Sequence, residues 1–135
     1  MEREFGQKRI VVVDDDLDER GLLAAIFKQI NRLIKVDIVG DGAQLLHYLG
    51  RCRDSHLPCL VVLDLHLPYL NGVEILQTMR AENIGSNVPV VVWSAFIDSQ
   101  MARRCIDAGA VTCFPKPEKP SELKVIARKM LEFCN

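Results

Sequence analysis

The chain has 135 residues, 49% of them hydrophobic and 26% charged, a balance that is typical of one globular domain and excludes a disordered chain. Seventeen Lys+Arg against eighteen Asp+Glu leave a net charge of −1, so no general basic field exists for binding nucleic acid or an anionic membrane. The longest apolar runs, 10–13 and 60–63, are far shorter than the roughly 20 residues that span a bilayer. The amino terminus carries no signal-like apolar stretch, and we expect a cytoplasmic protein.

Strand-like and helix-like segments alternate five times along the chain. The predicted strands are at 9–13, 35–39, 59–63, 88–93 and 111–114. Helix-like segments follow them, with apolar residues at helical spacing at 23, 26, 27 and 30, within 43–49 and 73–80, at 102, 105 and 106, and at 123, 126, 127 and 130. Strict β–α alternation predicts a single α/β domain with a parallel sheet and helices on both faces.

The composition of the strands predicts their order in the sheet. Strands one, three and four are unbroken apolar runs, as expected for strands that are buried on both faces. Strand two alternates polar and apolar residues, and strand five contains Thr112 and ends at Pro115, which suits an edge. Right-handed crossovers then favour a doubly wound (βα)5 sheet in the order 2-1-3-4-5. Ligands of such sheets bind at the carboxyl ends of the strands, where the winding reverses between strands one and three.

Five cysteines, at positions 52, 59, 105, 113 and 134, form no CxxC pair and are odd in number. Neither a disulfide framework nor a zinc site is therefore expected. We interpret the cysteines as reduced thiols of a cytosolic protein that act mostly as small buried hydrophobic residues.

Polar residues follow the strands at the edge where a ligand is expected: Asp14, Asp15 and Asp16 after strand one, Asp64 after strand three, Ser94 after strand four, and Lys116 after strand five. Taken singly, an acidic run before a helix is usually a cap, and a lone Asp, Ser or Lys in a loop carries little information. Together they predict a divalent metal site, because two carboxylates about 4 Å apart repel each other by roughly 4 kcal/mol at an effective dielectric near 20. Mg²⁺ fits best, with Mn²⁺ as an alternative, and a hydroxyl and an ammonium beside it suit phosphoryl transfer.

With this ordered set of residues, the chain resembles the receiver domains of two-component response regulators, in a stand-alone single-domain form. Ser94 lies thirty residues after Asp64, and the Lys116-Pro117 pair begins twenty-two residues after Ser94. The resemblance covers about residues 8–133, so we expect one receiver domain over residues 1–135.

The resemblance implies a role for each acidic residue. Asp64 would be the phosphoacceptor, and Asp15 the direct magnesium ligand. Asp14 would hold the metal through a water, and the backbone carbonyl of His66 would be a further ligand. We interpret Asp16 instead as a cap of the first helix.

The resemblance also assigns Ser94 to the family's hydroxyl position and Lys116 to its lysine position. In the family the bond between the lysine and the following proline is usually cis, and the same is expected of Lys116–Pro117.

The resemblance further implies a mechanism and partners. The Asp64 carboxylate would attack a phosphohistidine of a sensor histidine kinase or phosphotransfer protein in line, as in phosphorelay signalling. The chain would catalyse its own phosphorylation and a slow autodephosphorylation, without being a turnover enzyme. Output would reach a downstream protein through the face of helix four, strand five and helix five. Since neither a helix-turn-helix nor a basic face is present, no nucleic-acid or membrane partner is expected, and a homodimer is an alternative assembly.

Two features of the family's pattern predict how the switch behaves. The aromatic switch residue, three positions before the lysine, is replaced by Cys113, which we interpret as a small strand residue; signalling would then rely on Ser94 and the loop after it. Side chains two residues after the phosphoacceptor and two after the hydroxyl residue govern the hydrolytic water, and here they are His66 and Phe96. Because Phe96 cannot hydrogen-bond a water and His66 is ambiguous, we predict slow self-dephosphorylation.

Two rival functions use the same residues. A haloacid-dehalogenase-like phosphatase would use Asp14 as nucleophile and Asp16 as acid/base, but Asp18 stands where such enzymes usually have Thr or Val, and no second acidic motif follows Lys116. A non-phosphorylated receiver-like docking module typically lacks an acidic residue or the lysine, whereas this chain has the full set.

Overall fold

The computed structural model describes residues 8–52, 56–67 and 69–134. Its five strands are β1 (Arg9–Val13), β2 (Lys35–Val39), β3 (Leu60–Asp64), β4 (Val90–Ser94) and β5 (Thr112–Pro115). Its five helices are α1 (Leu17–Ile30), α2 (Gly42–Arg51), α3 (Gly72–Ala81), α4 (Ser99–Ala108) and α5 (Pro120–Leu131). The predicted alternation is confirmed. In the described ranges no helix is long and apolar enough to cross a membrane.

The five strands form one parallel sheet in the order β2-β1-β3-β4-β5. This confirms the predicted order, and the burial of the strands explains why it could be predicted. All residues of β3 and β4 are buried, and so are four of the five in β1, whereas β2 and β5 lie at the edges and are partly exposed. A strand with apolar layers on both faces needs apolar side chains at every position, while an edge strand does not.

Two apolar layers cover the sheet, because successive strand residues point to opposite faces. Val11 and Val13 of β1 pack into the layer that contains residues of α2, α3 and α4. Ile10 and Val12 pack into the other, which contains residues of α1 and α5. The doubly wound arrangement leaves the carboxyl ends of the strands open between the two layers of helices.

Asx caps start three of the helices and fix the ends of the loops that precede them. The side chains of Asp41, Asn71 and Asp98 each accept a hydrogen bond from the backbone amide three residues further on. Asn71 and Glu74 complete a reciprocal capping box. The loops after β3 and β4, which carry much of the predicted site, are therefore anchored at both ends.

The prediction that every cysteine is a reduced thiol is wrong, because Cys59 and Cys134 form a disulfide. The residue before β3 and the chain after α5 meet beside the α1–α5 layer, where their Cα atoms lie 4.8 Å apart, within the range that a disulfide spans. A pairing across 75 residues depends on this tertiary packing, so cysteine spacing alone does not show it. Cys52, Cys105 and Cys113 are free thiols, and only Cys105 among these three is fully buried.

Candidate functional site

Three carboxylates meet at the carboxyl ends of β1 and β3. These strands are neighbours, with Val13 opposite Leu63, so the residues that follow come together at one edge. One carboxylate oxygen from each of Asp14, Asp15 and Asp64 can be chosen so that all three lie within 4.8 Å of one another. Asp14 and Asp64 are buried while Asp15 is exposed, so the cluster opens to solvent on one side. Such an oxygen-only set fits a hard divalent cation such as Mg²⁺.

Lys116 places its ammonium between the two buried carboxylates. Its Nζ lies 3.2 Å from Asp14 Oδ2 and 3.1 Å from Asp64 Oδ2, and donates a hydrogen bond to each. The Lys116 amide donates to the carbonyl of Ser94 at 2.8 Å, which extends the pairing of β4 and β5 by one residue. The backbone is therefore fixed on one edge strand while the side chain reaches across β4 to β3 and β1.

The prediction of a cis Lys116–Pro117 bond is wrong, since the described residues contain no cis peptide bond. The amide of Lys116 is held on the Ser94 carbonyl, and from this anchor the long side chain reaches both carboxylates with a trans bond following it.

Burial is the largest influence on Asp14, and it raises the pKa of this carboxyl. The negative charge of Asp64 raises the pKa further, while the Asp16 amide, which donates to Asp14 Oδ1 at 2.9 Å, and the Lys116 ammonium lower it without reversing the direction. One lysine therefore does not fully offset the cost of ionising the buried carboxyl group, and an added cation at this position would be stabilising.

Asp64 is held from two sides. Its Oδ1 accepts a hydrogen bond from the His66 amide at 3.0 Å, and its Oδ2 accepts the bond from Lys116. The start of α3 then folds back against the end of β3, where the Gly72 amide donates to the Leu65 carbonyl at 2.9 Å. A Cβ at Gly72 would lie 3.1 Å from Leu65 Cα, so only glycine allows this approach without a shift.

Ser94 is fully buried at the end of β4, and its hydroxyl is bonded to the loop that follows. Its Oγ donates to the Phe96 carbonyl at 2.9 Å and accepts the Phe96 amide at 3.3 Å. The hydroxyl thus lies at the predicted edge of the sheet, and in this conformation it holds the chain between β4 and α4.

The remaining predicted residues lie around this cluster. Asp16 Oδ1 accepts a hydrogen bond from the Asp18 amide at 2.9 Å, so this side chain caps the first turn of α1, as predicted. The side chains of His66 and Phe96 are exposed, that of Phe96 to 85%. Cys113 is half-buried against Cys105, and burial raises the pKa of its thiol to about 11. Cys113 is therefore a packed strand residue in this conformation.

One contact of the site has no counterpart in the sequence motifs. The Lys116 Nζ lies 5.1 Å from the centroid of the Trp93 ring. The parallel register that places Trp93 opposite Asp64 is the signal that could have revealed it, because residues in register share one level of the sheet.

Comparison with known proteins identifies the family. The model of the response regulator receiver domain matches residues 10–128, and the chain belongs to this family. It is 34% identical over 125 residues to the DNA-binding response regulator MtrA of Mycobacterium tuberculosis, covering 93% of this chain and 51% of that protein. It is also 30% identical over 124 residues to sporulation initiation phosphotransferase F of Bacillus subtilis, covering 92% of this chain and 94% of that protein. The chain thus spans about half the length of the MtrA relatives.

Solved structures agree with this assignment. The phosphorylated cyanobacterial phytochrome response regulator RcpA superposes with a TM-score of 0.81 at 26% identity, covering 95% of this chain and 94% of that one. The receiver domain of sensor histidine kinase PA1611 from Pseudomonas aeruginosa, with a magnesium ion in its active-site cleft, gives 0.73 at 25% identity, covering 93% and 98%. The chain is therefore a receiver domain, the phosphorylation-activated switch of two-component signalling, and its acidic pocket fits phosphoaspartate and Mg²⁺. Receiver domains of this class interact with histidine kinases and phosphotransfer proteins.

Replacing Asp14 with Asn should raise the free energy of unfolding of the metal-free protein at pH 7. Because burial raises the pKa of Asp14, the folded state binds this proton more tightly than the unfolded state, and stability is lost as the pH rises through the folded pKa. The neutral amide avoids that loss, so the gain should shrink as the pH is lowered toward the ordinary carboxyl pKa of 3.8. Urea unfolding in EDTA across this pH range measures it.

The exposed Asp18→Asn variant is the matched control and should leave the urea midpoint nearly unchanged at every pH. An Asp14→Asn variant that is less stable than the wild type at pH 7 would show that the ion pair with Lys116 outweighs burial.

Proposed function

We propose that this chain is an active receiver in which Asp64 accepts a phosphoryl group from the phosphohistidine of a sensor histidine kinase or phosphotransfer protein. The observation that carries the proposal is the Lys116 ammonium, held at 3.1 and 3.2 Å from Asp64 and Asp14 beside the exposed carboxylate of Asp15. Nucleophile, metal ligands and a fixed cation therefore occupy one pocket. The receiver domain is residues 1–135, with its core at about 8–133. The chain catalyses its own phosphorylation and a slow autodephosphorylation, and it is not a turnover enzyme.

The carboxylate cluster suits Mg²⁺, with Mn²⁺ as the alternative. Asp15 and Asp64 would bind the ion directly, Asp14 through a water, and the backbone carbonyl of His66 would complete the protein ligands. Burial raises the pKa of Asp14, and Lys116 lowers it without reversing the direction, so a further cation beside this carboxyl group would be favourable. A bound Mg²⁺ would supply positive charge beside Asp64 that offsets the negative charge of the phosphoryl oxygens.

The residues of the chain then divide the work of phosphoryl transfer. The Asp64 carboxylate is kept in place by the His66 amide and attacks the phosphorus, forming an acyl phosphate as the bond to the histidine nitrogen of the donor breaks. Lys116 places its ammonium against the oxygens of the incoming group, and Ser94 donates a hydrogen bond to one of them.

Output follows from the position of Ser94 at the start of the loop before α4. Attraction of its hydroxyl to the phosphoryl group draws residues 95–98 toward the pocket and shifts α4 against β5. Cys113 on β5 is small and half-buried, so Ser94 and this loop carry the change without an aromatic switch residue. A downstream protein reads it on the face formed by α4, β5 and α5.

Incubation with acetyl phosphate and Mg²⁺ should add a single phosphoryl group to the protein, as seen by intact mass. The adduct should disappear in Asp64→Asn, because the amide cannot act as the nucleophile, and it should persist in Asp16→Asn, whose side chain caps α1. Phosphorylation of Asp64→Asn at the wild-type level would refute the assignment.

The same assay separates the rival functions. A wild-type protein that takes up no phosphoryl group, from acetyl phosphate or from a phosphorylated kinase, would be a docking module. Steady release of phosphate from p-nitrophenyl phosphate that depends on Asp14 would indicate the phosphatase.

Mg²⁺ should stabilise the folded protein, and Asp15→Asn should remove most of this effect. A ligand that binds only the native state adds about 2.7 kcal/mol at 100 times its dissociation constant. Thermal or urea unfolding with and without MgCl₂ measures the shift. Asp16→Asn is the control for the register of the acidic run; a larger loss there than in Asp15→Asn would show that the assigned ligands are wrong by one residue.

Phe96→Asn should speed the loss of the phosphoryl group by about tenfold or more, because an amide can orient the attacking water whereas the phenyl ring cannot. In the unphosphorylated conformation Phe96 is 85% exposed, and we propose that the ring covers the phosphoryl group when the loop closes. Tyr69→Asn is the matched control, since Tyr69 is 96% exposed on the loop after β3. Equal lifetimes for wild type and Phe96→Asn, followed by intact mass after removal of the donor, would contradict shielding.

A further inference from the structure

Trp93 is the single tryptophan of the chain, and it lies against the proposed reaction site. It is 2% exposed, it stands opposite Asp64 in the pairing of β3 and β4, and its carbonyl accepts the Leu65 amide at 3.1 Å. Its ring centroid is 5.1 Å from the Nζ of Lys116. The ammonium that contacts both buried carboxylates therefore also contacts the ring.

A hydrogen bond from the indole nitrogen does not explain why a tryptophan occupies this position. Trp93 Nε1 is buried and has no hydrogen-bond partner among the described residues. A buried donor without an acceptor costs free energy, and a phenylalanine at this position would avoid that cost. The face of the ring, however, has a charged partner within the roughly 6 Å at which ammonium groups are attracted to aromatic rings. This attraction is strongest for tryptophan and increases on desolvation, and the Lys116 side chain is only 13% exposed.

The ring and the carboxylates hold Lys116 in physically different ways. The attraction to Asp14 and Asp64 is between opposite charges, so a cation bound to the carboxylates weakens it and repels the ammonium. The ring has no net charge, and its quadrupole attracts the ammonium whether or not the carboxylates are neutralised. Of these two interactions, only the one with the carboxylates is weakened when a divalent cation occupies the cluster.

We propose that Trp93 is a positioning residue for phosphoryl transfer, whose ring keeps the Lys116 ammonium beside Asp64 after the carboxylates have taken up a divalent cation. The inference rests on the proposed function, because that function gives Lys116 its part in the reaction. It extends the site onto the strand residue before Ser94, which is not among the residues that the family motif assigned in this chain.

The decisive experiment varies the quadrupole of the Trp93 ring in steps without changing the shape of the side chain. Tryptophan analogues with one to four ring fluorines, incorporated at this single position, weaken the quadrupole stepwise. The rate at which acetyl phosphate phosphorylates Asp64 at saturating Mg²⁺ should fall with each fluorine, by about 3- to 10-fold over the series. In a Lys116→Ala background the residual rate should be the same for all analogues, because the partner of the ring is gone.

A metal-free measurement tests the same contact by a different readout. The ring current should move the ε-methylene resonances of Lys116 upfield in the apo protein, and Trp93→Leu should return them to ordinary values. Trp93→Phe, which keeps an aromatic face, should retain part of both the shift and the rate. Phe114→Leu is the matched control, since Phe114 lies opposite Trp93 on β5 and packs into the same apolar layer; it should change neither readout.

The outcomes distinguish the inference from the function on which it rests. Equal rates for all analogues in a wild-type background that is phosphorylated on Asp64 would overturn the positioning role and leave the proposed function intact. A wild-type protein that takes up no phosphoryl group would overturn both. If Trp93→Leu does not fold, the fluorinated series still decides, because it leaves the size of the side chain nearly unchanged.

Discussion

The contact of one ammonium with two buried carboxylates is the interaction on which this structure depends. Asp14 and Asp64 are almost entirely removed from solvent, and Lys116 Nζ lies within 3.2 Å of both. Removing Lys116 would leave two buried carboxylates without their cation, and breaking a buried ion pair in this way typically costs about 3–5 kcal/mol. At the open edge of the sheet, one positive charge therefore faces two buried negative charges. Burial raises the free energy of ionising these carboxyl groups, and for the same reason a further cation bound beside them would be stabilising.

The parallel sheet makes this balance possible. Neighbouring parallel strands end at the same edge, so residues that are 102 and 52 positions apart from Lys116 along the chain come within hydrogen-bond distance of it. Local features then refine the positions: the amide of Lys116 is anchored on Ser94, and Gly72 lets α3 approach the end of β3. The backbone fixes where each side chain begins, and the carboxylates and the ammonium draw each other into contact.

The sequence predicted those features of the fold and site that follow directly from the order and pattern of residues along the chain. Unbroken apolar runs predicted the central strands, and because strand ends meet at one edge, sequence order alone grouped the residues Asp14, Asp15, Asp64, Ser94 and Lys116. The errors concern properties that depend on packing. The pairing of Cys59 with Cys134 follows from the docking of α5 beside α1. The Lys116–Pro117 bond is trans, whereas the family's usual cis form was expected. The contact of the Trp93 ring with Lys116 was not predicted, because a tryptophan in an apolar strand has the same sequence pattern as any core residue.

The single hydrogen of the Ser94 hydroxyl limits the number of conformations that the loop after β4 can adopt. A hydroxyl carries one hydrogen, and here that hydrogen is given to the Phe96 carbonyl. It cannot serve a second acceptor at full strength, so holding the loop and holding a phosphoryl oxygen are mutually exclusive. The loop therefore has two alternative arrangements and no intermediate one. The strength of the response then depends on the fraction of molecules that carry the phosphoryl group.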